Sequence, residues 1–153
     1  MFKLSRRDLV VALLAIAATV SVTALAQSKL PVMRSSVFDW NTIPAQKTEK
    51  GALRNFFDAS TATLDEFECH VTTLDPGITS HPPHQHANEE MIIVKEGEVE
   101  ALVNGEFKKL GAGSIIFQAP NQLHTYRNSS KAPVTYYAIK WLSPGMLENK
   151  VKQ

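Results

Sequence analysis

From Leu64 onward the chain reads as an all-β domain, an antiparallel sandwich or barrel, on three observations. Short stretches rich in Val, Ile, Thr, Phe and Tyr are cut at near-regular intervals by Gly, Pro and Asn. Asn104-Gly105 is a pair that tolerates the two positive φ angles of a tight hairpin turn. No stretch after residue 26 gives a long helical period.

Strands are expected near 65–74, 83–87, 90–95, 98–103, 106–110, 114–118, 123–128 and 133–142. The turn at Asn104-Gly105 fixes one register: Val103 faces Glu106, Leu102 faces Phe107, and Glu100 faces Lys109 as a cross-strand charge pair. Val99, Ala101 and Val103 take the other face, which is the more apolar and is assigned to the core. Cys69 and His70 sit in an alternating strand, with Cys69 read as a small buried hydrophobe. Phe117 and Trp141 are assigned to the core.

The region before Leu64 divides in two. Met1 to Ala26 has the three parts of an export signal: a positive head (Lys3, Arg6, Arg7), an apolar run from Leu9 to Val20, and Ala24-Leu25-Ala26 before a cut ahead of Gln27. Ser5-Arg6-Arg7-Asp8-Leu9-Val10 resembles a twin-arginine signal, which addresses folded proteins for export, so a periplasmic or secreted protein is expected. Contact with a membrane is expected only through an uncleaved signal anchor. Residues 27–63 are expected to form an N-terminal arm or extra strands, with Ser35 to Asn41 and Gly51 to Asp58 as the candidates and loops at Pro31, Pro44 and Lys47 to Lys50. The barrel is placed at 64–142 and a tail at 143–153.

Composition removes several function classes. The 153 residues hold 16 Lys+Arg against 15 Asp+Glu, a net charge of +1, which is neither the bias of a disordered tail nor that of a nucleic-acid binder. A single Cys excludes an internal disulfide framework and a zinc site of clustered thiolates. A bound metal must therefore be held by histidine and carboxylate.

Histidine is where the sequence departs from a plain barrel. His84 and His86 are two apart on an extended stretch and leave the same face. Two unpartnered imidazoles in an apolar interior would cost roughly 1–3 kcal/mol each, which shared ligation removes. Glu90 keeps their parity and is the better ligand, whereas Glu89 points out as a solvated neighbour. His124 follows a Pro-Asn-Gln turn, from which one side chain can be projected into a barrel mouth. Tyr126 shares the face of His124 and belongs to the pocket or to the core beneath it. His81, before Pro82-Pro83, is read as a loop residue rather than a base.

His84-x-His86, three residues, Glu90, six residues and Gly97, then Gly113 followed by His124, three residues and Asn128, resemble the two motifs of the cupin family. Two positions depart from the pattern: six rather than five residues separate Gly77 from His84, and Ala119 and Asn121 stand where Pro and Gly are usual. The resemblance covers roughly residues 64–142 and implies a single-domain double-stranded β-helix of the jelly-roll type. It implies His84, His86, Glu90 and His124 as metal ligands; Glu90, able to swing off as a base, and Tyr126, on the face of His124, are the catalytic candidates. It also implies a homodimer, for which the segment around Ser35 to Asp58 is the candidate interface.

Three imidazoles and a carboxylate suit Fe, Mn, Ni, Co, Cu or Zn. Loading in the cytosol before folded export would escape periplasmic Cu and Zn, so Fe or Mn is favoured. The expected function is a metal-dependent enzyme on a small molecule, of an oxygenase-type oxidoreductase kind. The alternatives are a metal-dependent isomerase, decarboxylase or lyase, or a non-catalytic barrel that binds a small ligand.

Overall fold

The computed structural model describes residues 32–146. The export signal read at Met1 to Ala26 lies outside them. The described residues form nine strands and no helix: β1 (Gln46–Thr48), β2 (Gly51–Ala59), β3 (Glu66–Leu74), β4 (Glu89–Glu96), β5 (Glu98–Val103), β6 (Glu106–Gly111), β7 (Ile115–Gln118), β8 (Tyr126–Arg127) and β9 (Val134–Leu142). Among them no helix is long and apolar enough to cross a membrane.

A six-stranded sheet of order β1-β2-β3-β9-β4-β7 faces a three-stranded sheet of order β6-β5-β8. The paired strands are antiparallel throughout. The all-β jelly-roll barrel expected from the sequence is the architecture observed. Alternation builds the core, because each strand sends every second side chain inward. Ile92 and Val94 from β4, Val99 and Ala101 from β5, Ile116 from β7 and Tyr136 and Ala138 from β9 pack together there.

The β5–β6 hairpin has the register set by Asn104-Gly105, pairing Val103 with Glu106, Leu102 with Phe107 and Glu100 with Lys109. Both turn residues have positive φ, 52° and 82°. Val99 and Ala101 are fully buried and Val103 packs at the edge of the core. The ion pairs run otherwise than expected. Lys109 reaches the diagonal Glu98, and Glu100 accepts from Arg127, its register partner on β8.

Two expected strands are shorter than the sequence pattern. Residues 83–87 form a loop in which only His84 bridges to His124, because Pro82 and Pro83 lack the amide hydrogens that a ladder needs. The stretch 123–128 contracts to Tyr126–Arg127. Before Leu64, Gly51–Ala59 is a strand paired to β3, Gln46–Thr48 makes a short edge strand where a loop was expected, and Ser35 to Asn41 has no strand. Instead Trp40 lies on the outer face of the large sheet, against Arg54 and Lys95 and near Phe56 and Tyr137.

Phe117 corrects the sequence reading, since it is 48% exposed on the outer face of β7 rather than in the core. The inner positions of β7 are taken by Ile116 and Gln118, so parity sends Ile115 and Phe117 out. Trp141 is likewise on the outer face, close to Phe117, where its Nε1 donates to Glu89.

Candidate metal centre

The loop between β3 and β4 and the loop between β7 and β8 supply the histidines. A reciprocal pair of backbone hydrogen bonds joins them at His84 and His124, with N···O distances of 3.1 and 2.9 Å. That clasp brings together residues forty positions apart. The ring centroids of His84, His86 and His124 lie 5.4, 4.7 and 4.8 Å from one another. One ligand nitrogen from each falls within 4.8 Å of the other two. Two ligands on one ion at about 2.1 Å each are at most about 4.2 Å apart, so the set is close to chelating geometry.

The protonation pattern follows from the partners. His124 Nδ1 is 2.8 Å from the carbonyl of Gln122, and His86 Nδ1 is 3.1 Å from the carbonyl of Asn88. A carbonyl only accepts, so each Nδ1 donates and each Nε2 keeps its lone pair, the arrangement of a metal-ligating imidazole. His124 is 1% exposed and its Nε2 has no hydrogen-bond partner among the described residues. Burial pushes the ring below the ordinary histidine range, although the Gln122 carbonyl and the Glu90 carboxylate oppose it, and this favours the neutral form.

Glu90 enters from β4 and is buried. Its two oxygens lie 3.7 Å from His86 Nε2 and 3.8 Å from His124 Nε2, while the Tyr126 hydroxyl donates to Oε1 across 2.7 Å. Burial alone would raise this carboxyl, but the His86 ring beside it, the hydrogen bond from Tyr126 and the nearby His124 outweigh it, and the group is held below the usual range. Burial beside the Glu90 carboxylate pushes the Tyr126 phenol up, so it is a donor there. The sequence-predicted residues His84, His86, Glu90, His124 and Tyr126 thus meet at one place.

His81 also belongs to this neighbourhood and is more than a loop residue. Its Nδ1 is 2.8 Å from His84 Nδ1, and its ring is 6.1 Å from that of Tyr126. Burial pushes His81 below the ordinary histidine range.

Beside the cluster is a cavity of about 540 Å³, lined by His81, His84, His86, Glu90, Tyr126 and Lys140 among others. Its far wall brings in a residue that sequence reasoning left in an ordinary strand, His70. The parity of Glu68 and His70 was the available signal, since two residues apart on a strand share a face.

The cupin-domain family matches residues 70–140, a span that holds both histidine loops. The chain carries a cupin domain. Solved structures agree in fold. The polyketide cyclase RemF of Streptomyces resistomycificus has 20% identity and a TM-score of 0.58, with 73% of this chain and 82% of that chain covered. KdgF of Halomonas sp. has 17% identity and a TM-score of 0.58, with 71% and 94% covered. A predicted oxalate decarboxylase of Thermotoga maritima has 19% identity and a TM-score of 0.56, with 70% and 99% covered. At these identities the likeness is one of fold. No curated protein sequence matches the chain.

Proposed function

We propose that this cupin domain holds a divalent metal through His84, His86, Glu90 and His124 and works as a metal-dependent enzyme on a small molecule, of the oxygenase-type oxidoreductase class. The observation that carries the reading is the His124 Nε2 lone pair, buried without a partner and beside two further histidines and a carboxylate. An orphaned buried acceptor costs roughly 1–3 kcal/mol, and a shared cation is the partner that satisfies all four groups at once.

Bound there by His84, His86, Glu90 and His124, a metal would supply Lewis-acid or oxygen-activating chemistry. The chain's own residues do the rest. Gln122 and Asn88 carbonyls fix two imidazole tautomers, and Tyr126 orients the Glu90 carboxylate. Tyr136 and Ile92 line the apolar part of the cavity and exclude water. Fe or Mn is the proposed ion, with Zn, Ni, Co and Cu sharing the same ligand chemistry.

The proposal extends to export by a twin-arginine route into the periplasm, supported by the sequence of residues 1–26, and to a homodimer, supported by the exposed Ile115 and Phe117 on the outer sheet face. Metal analysis of protein from its native periplasm, and oxygen uptake with a panel of phenols and keto acids, test the reading. Fe or Mn content with uptake abolished in His84→Ala supports it. Metal retained without turnover would leave a small-ligand carrier, and Zn or Cu alone would overturn the choice of ion.

A further inference from the structure

The inner face of the large sheet carries an ionisable pair that the metal site does not use. Glu68, Lys140, Glu90 and Gln118 are register partners in one row across β3, β9, β4 and β7. Lys140 bonds Glu68 and reaches Glu66, so Glu68 is held in place from β9. On its other side Glu68 Oε1 lies 2.8 Å from His70 Nδ1. A carboxylate only accepts, so Nδ1 carries a hydrogen, and in the neutral ring Nε2 keeps a lone pair. Nε2 is the ring nitrogen not taken up by Glu68, and the ring lines the same cavity as His84 and Glu90.

Position makes this more than a wall residue. Glu68 and Glu90 are separated by two strand spacings, roughly 10 Å of backbone, on one face of the sheet, and His70 and Glu90 both line the cavity. A molecule anchored at the histidine cluster and extending along the sheet would meet His70 at its other end. The charged groups around the ring are Glu68 on its own strand, Lys140 on β9, and Glu49 and Lys50 from the β1–β2 turn, with the histidine cluster and Glu90 elsewhere on the cavity wall; Asp58 on β2 lies by Glu68 rather than by the ring.

We propose that His70, oriented by Glu68, is the proton acceptor of the cavity, serving a small ligand that binds the metal centre through oxygen at one end and presents a hydroxyl at the other. The inference rests on the metal reading above. In the step, the ligand O–H bond breaks, the proton forms a bond to Nε2 to give an imidazolium, and the electron pair stays on the ligand oxygen; the proton returns on release. Glu68 is the positioning residue, holding the tautomer and balancing the imidazolium.

The test uses the full chain loaded with Zn²⁺, with 4-hydroxybenzoate and benzoate as matched probes. The wild type is expected to bind 4-hydroxybenzoate at least tenfold more tightly than benzoate, and His70→Gln to erase that preference while keeping Zn²⁺ affinity within threefold. In the wild type, the ¹⁵N signals of the His70 ring should move with 4-hydroxybenzoate and stay put with benzoate, a readout that needs no variant to fold. Glu68→Gln should change which ring nitrogen carries hydrogen in the same spectra. Equal affinities, a preference that survives His70→Gln, or ring signals indifferent to both probes would overturn the inference. A wild type that does not bind Zn²⁺ would overturn the metal reading instead.

Discussion

Tyr126 and Glu90 are joined by a buried hydrogen bond of 2.7 Å from the phenol to Oε1, at the floor of the histidine cluster. The bond leaves Glu90 Oε2 toward His86 and fixes the carboxylate plane. Groups that orient a ligand typically matter 10- to 100-fold in metal affinity. Tyr126→Phe keeps the ring packing against Tyr136 and removes only the donor. It should weaken Zn²⁺ binding by about tenfold in calorimetric titration and cost the metal-free chain about 1–3 kcal/mol, since the buried Glu90 carboxylate loses a donor. Unchanged affinity would mean that Glu90 stands outside the ligand set.

Glu68 predicts an acid limb of stability. The hydrogen bond from His70 is the largest influence on it, opposed by burial and reinforced by Lys140, and the net result is a carboxyl lowered to about 2 from an ordinary 4.5. A depressed carboxyl stabilises the fold above its unfolded value, and that contribution is lost as pH falls from about 4.5 through 2. Linkage over that interval is worth roughly 3 kcal/mol, and partial exposure reduces it to about 1–2 kcal/mol. Urea midpoints measured from pH 7 to 2 should fall more steeply below pH 4.5 in the wild type than in Glu68→Gln. Parallel curves would refute it.

The legible parts of this molecule are those fixed by local chemistry. Asn104-Gly105 sets a hairpin register because few residue pairs accept two positive φ angles. The spacing of His84, His86 and Glu90 and the turn before His124 announce a convergence that the structure contains. Less legible was whatever depended on partners distant in the chain. The outward face of Phe117 is set by which side of β7 meets the core, and a four-residue apolar strand does not reveal that. The break at 83–87 was encoded in Pro82-Pro83 and was outweighed by parity. His70 looks ordinary until β9 brings Lys140 beside Glu68.

Two glycines of the cupin motifs should respond unequally to alanine. Gly97 turns β4 into β5 with φ of 78°, and a Cβ there would come within 2.6 Å of the Pro133 carbonyl oxygen and 3.0 Å of Val134 Cα. Gly113 has a similar φ of 85° but open space around it. Gly113→Ala therefore meets only backbone strain, about 1 kcal/mol, while Gly97→Ala adds a clash with backbone that cannot rotate away, about 3 kcal/mol or more in total. Urea denaturation of both variants gives the comparison, and equal losses would contradict the packing argument.

His124→Ala separates metal holding from folding. The imidazole is 1% exposed, so its removal leaves a void and forfeits the Nδ1 bond to the Gln122 carbonyl, yet it also removes an Nε2 that is buried without a partner. These effects oppose each other at roughly 1–3 kcal/mol each, so the metal-free variant should sit within about 1–2 kcal/mol of the metal-free wild type. With metal the two should diverge. An ion that binds only the native state stabilises it by about 2.7 kcal/mol at a hundredfold excess over its dissociation constant. The wild type should show that rise in melting temperature with Mn²⁺ or Zn²⁺ and lose it to a chelator, while His124→Ala at the same metal concentration should show less than a third of it. An equal rise in both proteins would place the ion elsewhere on the protein rather than among the three rings.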